Sequence, residues 1–212
     1  VTATRPELAE LTGRHVRLAP LTAEDLPELY AAIGRPEVFA GGYGGGPAGL
    51  PASFEAFERF ATSYYQALPT GQAWAIRLAS GADAGALVGT STLGDFDLPN
   101  ESTHIGWTAY DPRVWGTAVN PEAKRLLLGL AFDHGFGRVK LQADARNERS
   151  RAAILKLGAT FEGIMRRDRR RADGTWRDSA IYSVLADEWP AVRAGLDARI
   201  DAWGTRELAL AR

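Results

Sequence analysis

The stretch RVWGTAVNPEAKRLLL, residues 113–128, sets an arginine, a lone glycine, a threonine and a proline ahead of an apolar stripe. From Ala123 the residues Leu126, Leu127, Leu130 and Ala131 recur at helical spacing, which predicts a helix with one face in a core. Its start has two readings. Either Asn120 is the N-cap with Pro121 at the first helical position, or the helix begins at Thr117 with Pro121 inside the first turn, where its missing N–H costs little. In both, Gly116 and Ala118 leave the backbone uncovered beside unsatisfied N–H groups at the positive end of a helix dipole, with Arg113 close by. That arrangement is an anion site. The second and third glycines of a dinucleotide fingerprint and the Gly-Lys-Ser/Thr of a P-loop are missing, which argues against NAD and ATP.

Outward from this helix the elements alternate. Upstream, RHVRLAPL turns Val16 and Leu18 to one side as a short strand, and TAEDLPELYAAIG opens a helix with Thr22 as N-cap and Glu24 and Asp25 in its first turn. The following GRPEVFAGGYGGGPAGLP has no periodicity and reads as a mobile loop. A helix restarts at Ser53 in SFEAFERFATSYYQAL. Then AWAIRLA, GALVGTSTLGDFD and THIGWTAY read as an antiparallel meander. Downstream, GRVKLQAD is a strand and NERSRAAILKLG a short helix ending at Gly158. The turn pair Asp173 and Gly174 joins two further strands into a hairpin. A last helix runs from about Asp187, with Trp189, Val192, Leu196, Ile200 and Trp203 on one face and Pro190 in its first turn. Together these predict a mixed α/β layered fold, expected as one domain over 1–212 with a core at about 12–190 and a C-terminal helix at 187–203.

Composition narrows the chemistry. The 212 residues are 45% hydrophobic, enough for one substantial core, and no apolar run approaches the ~18 residues of a membrane span. The start VTATRPELAELTG lacks the basic and apolar blocks of an export signal, so a cytoplasmic protein without membrane contact is expected. With no cysteine and three scattered histidines, His15, His104 and His134, no metal site is expected and no thiolate nucleophile is available. Residues 1–112 hold 6 basic against 13 acidic side chains and residues 113–212 hold 19 against 13, so the halves carry about −7 and +6. This polarity is either plain solvation or a match to an anionic ligand on the second half. Direct nucleic-acid binding is disfavoured, because outside RRDRRR no basic stripe is interleaved with aromatics.

The spacing Arg113, Gly116, Ala118 resembles the pyrophosphate-binding motif of the GNAT acyltransferases, Gln/Arg-x-x-Gly-x-Gly/Ala. The block NERSRAAILKLGATFEG is similar to the helix of that family that an Asn opens and a Lys-x-Gly ends, before a Glu-Gly pair. The element order agrees as well, and the resemblance covers about residues 12–190. Within the family, VWGTAVNPEAKRLLL, NERSRAAILKLGA and DGTWRDSAIYSVLADEWP look most like the branch of ribosomal-protein alanine N-acetyltransferases. Two departures stand out: Ala118 where glycine is commoner, and His104 where this branch often has Glu before Ile-Gly.

The resemblance implies acetyl-CoA in a V-shaped opening between two parallel strands, THIGWTAY and GRVKLQAD, of a mostly antiparallel sheet with helices on both faces. Splaying would leave backbone groups of Trp107, Thr108 and Ala109 for the amide-bearing pantetheine arm to pair with, like an added strand. The pyrophosphate would rest on the N–H groups of Val114, Trp115, Gly116, Thr117, Ala118 and Val119, with Trp115 as a cover. Asn147 and Ser150, which also read as helix-capping residues, would reach the far side of the arm. An amine attacking the thioester directly needs a base and a proton for the leaving thiolate. His104, on the bordering strand, is the expected base, directly or through water, and Ser150 the expected donor; a backbone N–H near Thr108 would hold the oxyanion. Tyr43 in the glycine loop and Asp178 on the last hairpin are candidates for the acceptor pocket, Asp178 as a carboxylate for an ammonium or as an ion-pair partner of neighbouring arginines. RRDRRR reads first as a solvated edge, and otherwise as a contact for acidic protein or CoA phosphate. The expected acceptor is a protein N-terminal amine, with a small-molecule amine or antibiotic as the enzyme alternative; a non-catalytic acyl-CoA sensor and a plain nucleotide-binding module are the others. The molecule is expected to be a monomer or a homodimer.

Overall fold

The computed structural model describes residues 3–66, 72–206 and 208–210. Its strands are β1 (Leu11–Thr12), β2 (Val16–Pro20), β3 (Gln72–Leu78), β4 (Leu87–Asp97), β5 (Ser102–Tyr110), β6 (Arg138–Asp144), β7 (Thr160–Arg170) and β8 (Trp176–Leu185). They join in one sheet in the order β1-β2-β3-β4-β5-β6-β8-β7. Every neighbouring pair is antiparallel except β5 and β6. That parallel pair holds for three partners, Ser102 with Arg138, Thr103 with Val139 and His104 with Lys140, and the strands then diverge. The divergence has a local cause. Thr90 faces Ala109 and Thr92 faces Gly106, so Trp107 and Thr108 share the place opposite Ser91, with Trp107 at φ 50°. Such a bulge bends its strand and breaks the ladder.

The helices are α1 (Leu26–Ile33), α2 (Pro36–Ala40), α3 (Phe54–Ala61), α4 (Val119–Asp133), α5 (Glu148–Lys156) and α6 (Trp189–Trp203). One hydrophobic cluster joins α4, α5 and α6 to the sheet through Leu127, Leu128, Ile154 and Leu196. A second packs α1, α2 and α3 with Leu29, Phe39 and Phe57, so both layers of helices are present. Side chains start several of these elements. The Asp25 carboxylate accepts from the Thr22 backbone N–H at 2.8 Å, and Ser53 Oγ accepts from Ala56 N–H at 3.2 Å. The front of α4 is tied to β2 by Glu122, whose buried carboxylate accepts from the N–H groups of Arg14, His15 and Val16 at 2.8, 2.6 and 2.8 Å. This strut fixes where the helix begins.

Three local readings change. α4 starts at Val119, between the two expected starts, with Pro121 in its first turn. The glycine-rich segment is not a featureless loop: Pro36 opens α2, and short 3₁₀ turns follow at Tyr43–Gly45 and Pro47–Gly49. Aromatic packing orders it, since Phe39 is fully buried and the Tyr43 ring meets it edge-on at 5.3 Å. After α3 the chain widens into a π turn at Thr62–Gln66, and the Ala67–Leu68 end of the expected helix lies outside the described residues. RRDRRR runs along β7, which is an edge strand as expected. Among the described residues no helix is long and apolar enough to cross a membrane.

Candidate active site

A cavity of about 780 Å³ opens where β5 and β6 part. Ile105–Tyr110 wall one side and Leu141–Asp144 the other, with the fronts of α4 and α5, the glycine loop and the β7–β8 hairpin completing it.

At the α4 end the backbone does the work. Asp111 begins the 3₁₀ turn Pro112–Val114, and its fully buried carboxylate accepts from three Arg113 groups: backbone N–H at 2.9 Å, Nε at 3.0 and 3.1 Å and a terminal nitrogen at 2.6 Å. Burial raises the Asp111 pKa, but the Arg113 bonds outweigh it and the net shift is downward. The motif arginine is therefore committed to Asp111 and stands off the cavity wall. Thr117 Oγ1 donates to Val114 O at 2.6 Å and accepts from Val119 N–H at 3.3 Å. The N–H groups of Gly116, Ala118 and Asn120 keep no partner among the described residues. Gly116 sits at φ 78°, and a Cβ there would meet nothing within 4 Å. Val114, Trp115, Gly116 and Asn120 line the cavity. Thr117, Ala118 and Val119 do not, and the last two are buried in the core. Asn120 thus joins the expected set. So does Arg149, whose guanidinium lies 3.4 Å from the centroid of the Trp115 ring and whose pKa burial lowers.

In the middle of the cleft Trp107, Thr108 and Ala109 line the wall. Beneath them lies a residue that sequence reading missed. Lys124 is 4% exposed, and its Nζ donates to Thr108 Oγ1 at 2.7 Å and to Ser91 Oγ at 2.9 Å, with no carboxylate in reach among the described residues. Burial pulls its pKa down to about 7. The available signal was its place three and four residues before the buried Leu127 and Leu128. His104 also lines the cavity and is 2% exposed. Its Nδ1 lies 3.0 Å from Asp95 Oδ2, and its buried Nε2 has no partner among the described residues. Burial lowers its pKa to about 4 despite the Asp95 bond, so the ring is neutral at pH 7 with Nε2 free to accept.

At the far end Asn147 caps α5 by accepting from Ser150 N–H at 3.0 Å, and its Nδ2 donates to Gly41 O at 2.6 Å, which pins the glycine loop. Ser150 lines the cavity. Arg171 pairs with Asp144 at 2.6 Å, and Ala172 N–H donates to Gly45 O at 3.0 Å, so the hairpin closes against the loop. Tyr43, Tyr64, Arg169 and Arg177 line this end. Asp178 does not: it is exposed, outside the wall, and accepts from Arg167 N–H at 2.7 Å. Among the described residues no three His, Asp or Glu side chains gather as metal ligands would.

Residues 15–160 match the family model of the acetyltransferase (GNAT) domain. The chain belongs to the GNAT acetyltransferases. A solved GCN5-related N-acetyltransferase from Brucella melitensis is 28% identical, with a TM-score of 0.82 over 94% of this chain and 88% of its own. A structure from T. thermophilus described as an acetyltransferase is 34% identical, with a TM-score of 0.81 over 92% and 99%. Mycobacterium smegmatis RimJ, solved in complex with CoA-disulfide, shares the fold at 20% identity, with a TM-score of 0.68 over 86% and 88%. No curated protein matches the sequence.

As a GNAT acetyltransferase the protein is an acetyl-CoA-dependent enzyme, and its cleft has groups that suit that co-substrate. Unpaired N–H groups at the α4 front and the Arg149 cation favour phosphates. The edge of β5 beyond His104 offers backbone groups to an amide-bearing arm.

Proposed function

We propose that this GNAT acetyltransferase moves the acetyl group of acetyl-CoA directly to a protein N-terminal amine, as in the branch of ribosomal-protein alanine acetyltransferases. The observation that carries the reading is the single cavity joining the free N–H groups of the α4 front to His104 and to the aromatic end at Tyr43. The co-substrate supplies an activated acetyl group; the chain orients it and handles protons. The N–H groups of Gly116 and Asn120 hold the pyrophosphate, with Arg149 and Trp115 over it. The backbone of Trp107, Thr108 and Ala109 aligns the arm. The acceptor nitrogen forms a bond to the acetyl carbon while the carbon–sulfur bond breaks. His104 Nε2 takes the amine proton, directly or through one water, and Asp95 steadies the ring from Nδ1. The Ser150 hydroxyl returns a proton to the sulfur. Tyr43 and Tyr64 flank the incoming amine.

Thermal stability measured with acetyl-CoA, CoA, ATP and NAD, followed by thiol release on adding an N-terminal alanine peptide, tests this. Stabilisation by acetyl-CoA and CoA together with peptide-dependent release is the expected result. Release with polyamines or aminoglycosides but not with peptides replaces the acceptor, and stabilisation without release under any acceptor makes the protein an acyl-CoA sensor. Full turnover by Ser150→Ala removes Ser150 from the mechanism.

A further inference from the structure

The acceptor end of the cleft is rich in hydrogen-bond donors and poor in acceptors. Arg177, on β8, is only partly exposed; its Nε donates to Ser179 Oγ at 3.0 Å, and no carboxylate lies within ion-pair distance of its guanidinium among the described residues. Burial lowers its pKa and neighbouring Arg169 adds to this, against the weaker opposing pull of the Asp144 and Asp168 carboxylates, neither of which reaches ion-pair distance. Arg169, across on β7, reaches Asp168 only at 3.6 Å, and that carboxylate already accepts from Ser179 Oγ at 2.6 Å. The Tyr43 hydroxyl is buried and has no partner among the described residues. Tyr64 is close enough to feel both arginines. The wall's carboxylate, Asp144, is occupied by Arg171 at 2.6 Å and by Arg146 N–H at 3.0 Å. A half-buried guanidinium with no carboxylate paired to it, beside a buried hydroxyl without a partner, is a donor set that a planar anion taking two or more bonds satisfies.

We propose that the acceptor carries a carboxylate close to its reactive amine, and that Arg177, with Arg169 and the Tyr43 hydroxyl, receives it. This rests on the reading that the Tyr43 end of the cavity takes the acceptor. Phosphate of the co-substrate does not account for the set: the groups suited to phosphate belong to the fronts of α4 and α5, whereas these arginines neighbour Tyr64 and, for Arg169, His104. The cationic wall also disfavours a lysine-rich acceptor. An acidic residue just after the N-terminal amine, or the α-carboxylate of a free amino acid, presents the same chemistry.

The experiment compares C-terminally amidated peptides Ala-Glu-Ser, Ala-Ser-Ser and Ala-Lys-Ser with free glutamate and alanine, in the wild type and in Arg177→Gln, by thiol release. The wild type is expected to favour Ala-Glu-Ser over Ala-Lys-Ser by at least about tenfold in kcat/KM, with the preference shrinking as salt rises. Arg177→Gln is expected to bring that ratio close to one. Equal use of the acidic and basic peptides by the wild type overturns the proposal, as does a ratio that survives Arg177→Gln. Turnover of the free amino acids alone keeps the carboxylate and replaces the N-terminal-peptide acceptor. If no acceptor is turned over, calorimetry on the CoA-loaded protein decides: tighter binding of Ala-Glu-Ser than of Ala-Lys-Ser sustains the carboxylate site, and equal binding removes it.

Discussion

At the α4 end of the cleft the unpaired donors on the cavity wall include backbone N–H groups of one short stretch, those of Gly116 and Asn120. At the hairpin end they are side chains of residues 43, 64, 169 and 177, brought together from three parts of the chain. Backbone donors depend on φ and ψ and on where a helix begins, and they suit a group that never changes from substrate to substrate. Side-chain donors vary with each substitution while the fold stays. On the proposed reading the first end therefore serves the invariant co-substrate, and the second the acceptor. Each of the following variants tests whether that division holds.

The largest effect is expected at Gly116. Its φ of 78° lies in the left-handed region, where a β-branched residue costs about 1–3 kcal/mol, and a side chain would also occupy the open space the phosphates need. Gly116→Val is expected to weaken acetyl-CoA by about tenfold to a hundredfold, seen both as KM and as loss of thermal stabilisation. An unchanged KM would mean that the α4 front is only a capped helix.

The same contrast explains what was legible in the sequence. Helix α4, the Asn147 cap, the hairpin turn at Asp173 and Gly174, and the order of strands are local patterns, and all are readable in short windows. Arg113 shows where a motif misleads. The spacing to Gly116 is right, yet Asp111 two residues earlier captures the guanidinium, and the cation on the cavity wall at this end is Arg149. Lys124 was invisible because its burial depends on Ser91 and Thr108, two strands that meet it only after folding. Arg177 was hidden likewise, as one basic residue among many on the hairpin. Asp178, next to it, alternates to the other side of β8 and faces away from the cleft.

The two buried nitrogen bases between the ends sharpen the comparison. His104→Ala is expected to lower kcat by about tenfold or more at saturating acetyl-CoA, and a drop of less than about threefold removes it as the base. Its protonation sets a sign: between pH 6.5 and about 4 the unfolded chain takes up a proton that the native ring refuses, so stability falls as pH falls through that window, and the variant should lose this dependence. Lys124 works at the other side of neutrality. Its ordinary pKa is 10.5 and its native one about 7, so the native state gains stability as pH rises from 7 to 10.5. Lys124→Met should flatten that rise and stabilise the protein at pH 7 by at least about 1 kcal/mol, because a buried cation without a counter-charge is replaced by an apolar side chain of similar length. The Ser91 and Thr108 hydroxyls, 2.7 Å apart, can still satisfy each other. A melting temperature that drops equally at every pH would show that the lysine is held for its bonds and not at a cost.

The smallest effect is expected at Asp178, where the sign matters more than the size. If an ammonium were drawn in by this carboxylate, Asp178→Asn would raise the acceptor KM by an order of magnitude. The side chain is instead outside the wall, holding Arg167 N–H where β7 slips its register between Met165 and Arg169. With a donor-rich wall receiving a carboxylate, removal of a nearby negative charge leaves the KM of an acidic acceptor within about twofold, and any change is downward. Acceptor KM measured for Asp178→Asn with an acidic and a basic peptide reads this directly. An increase confined to the basic peptide would return the acceptor end to a cation-binding role and undo the contrast drawn from Arg169 and Arg177.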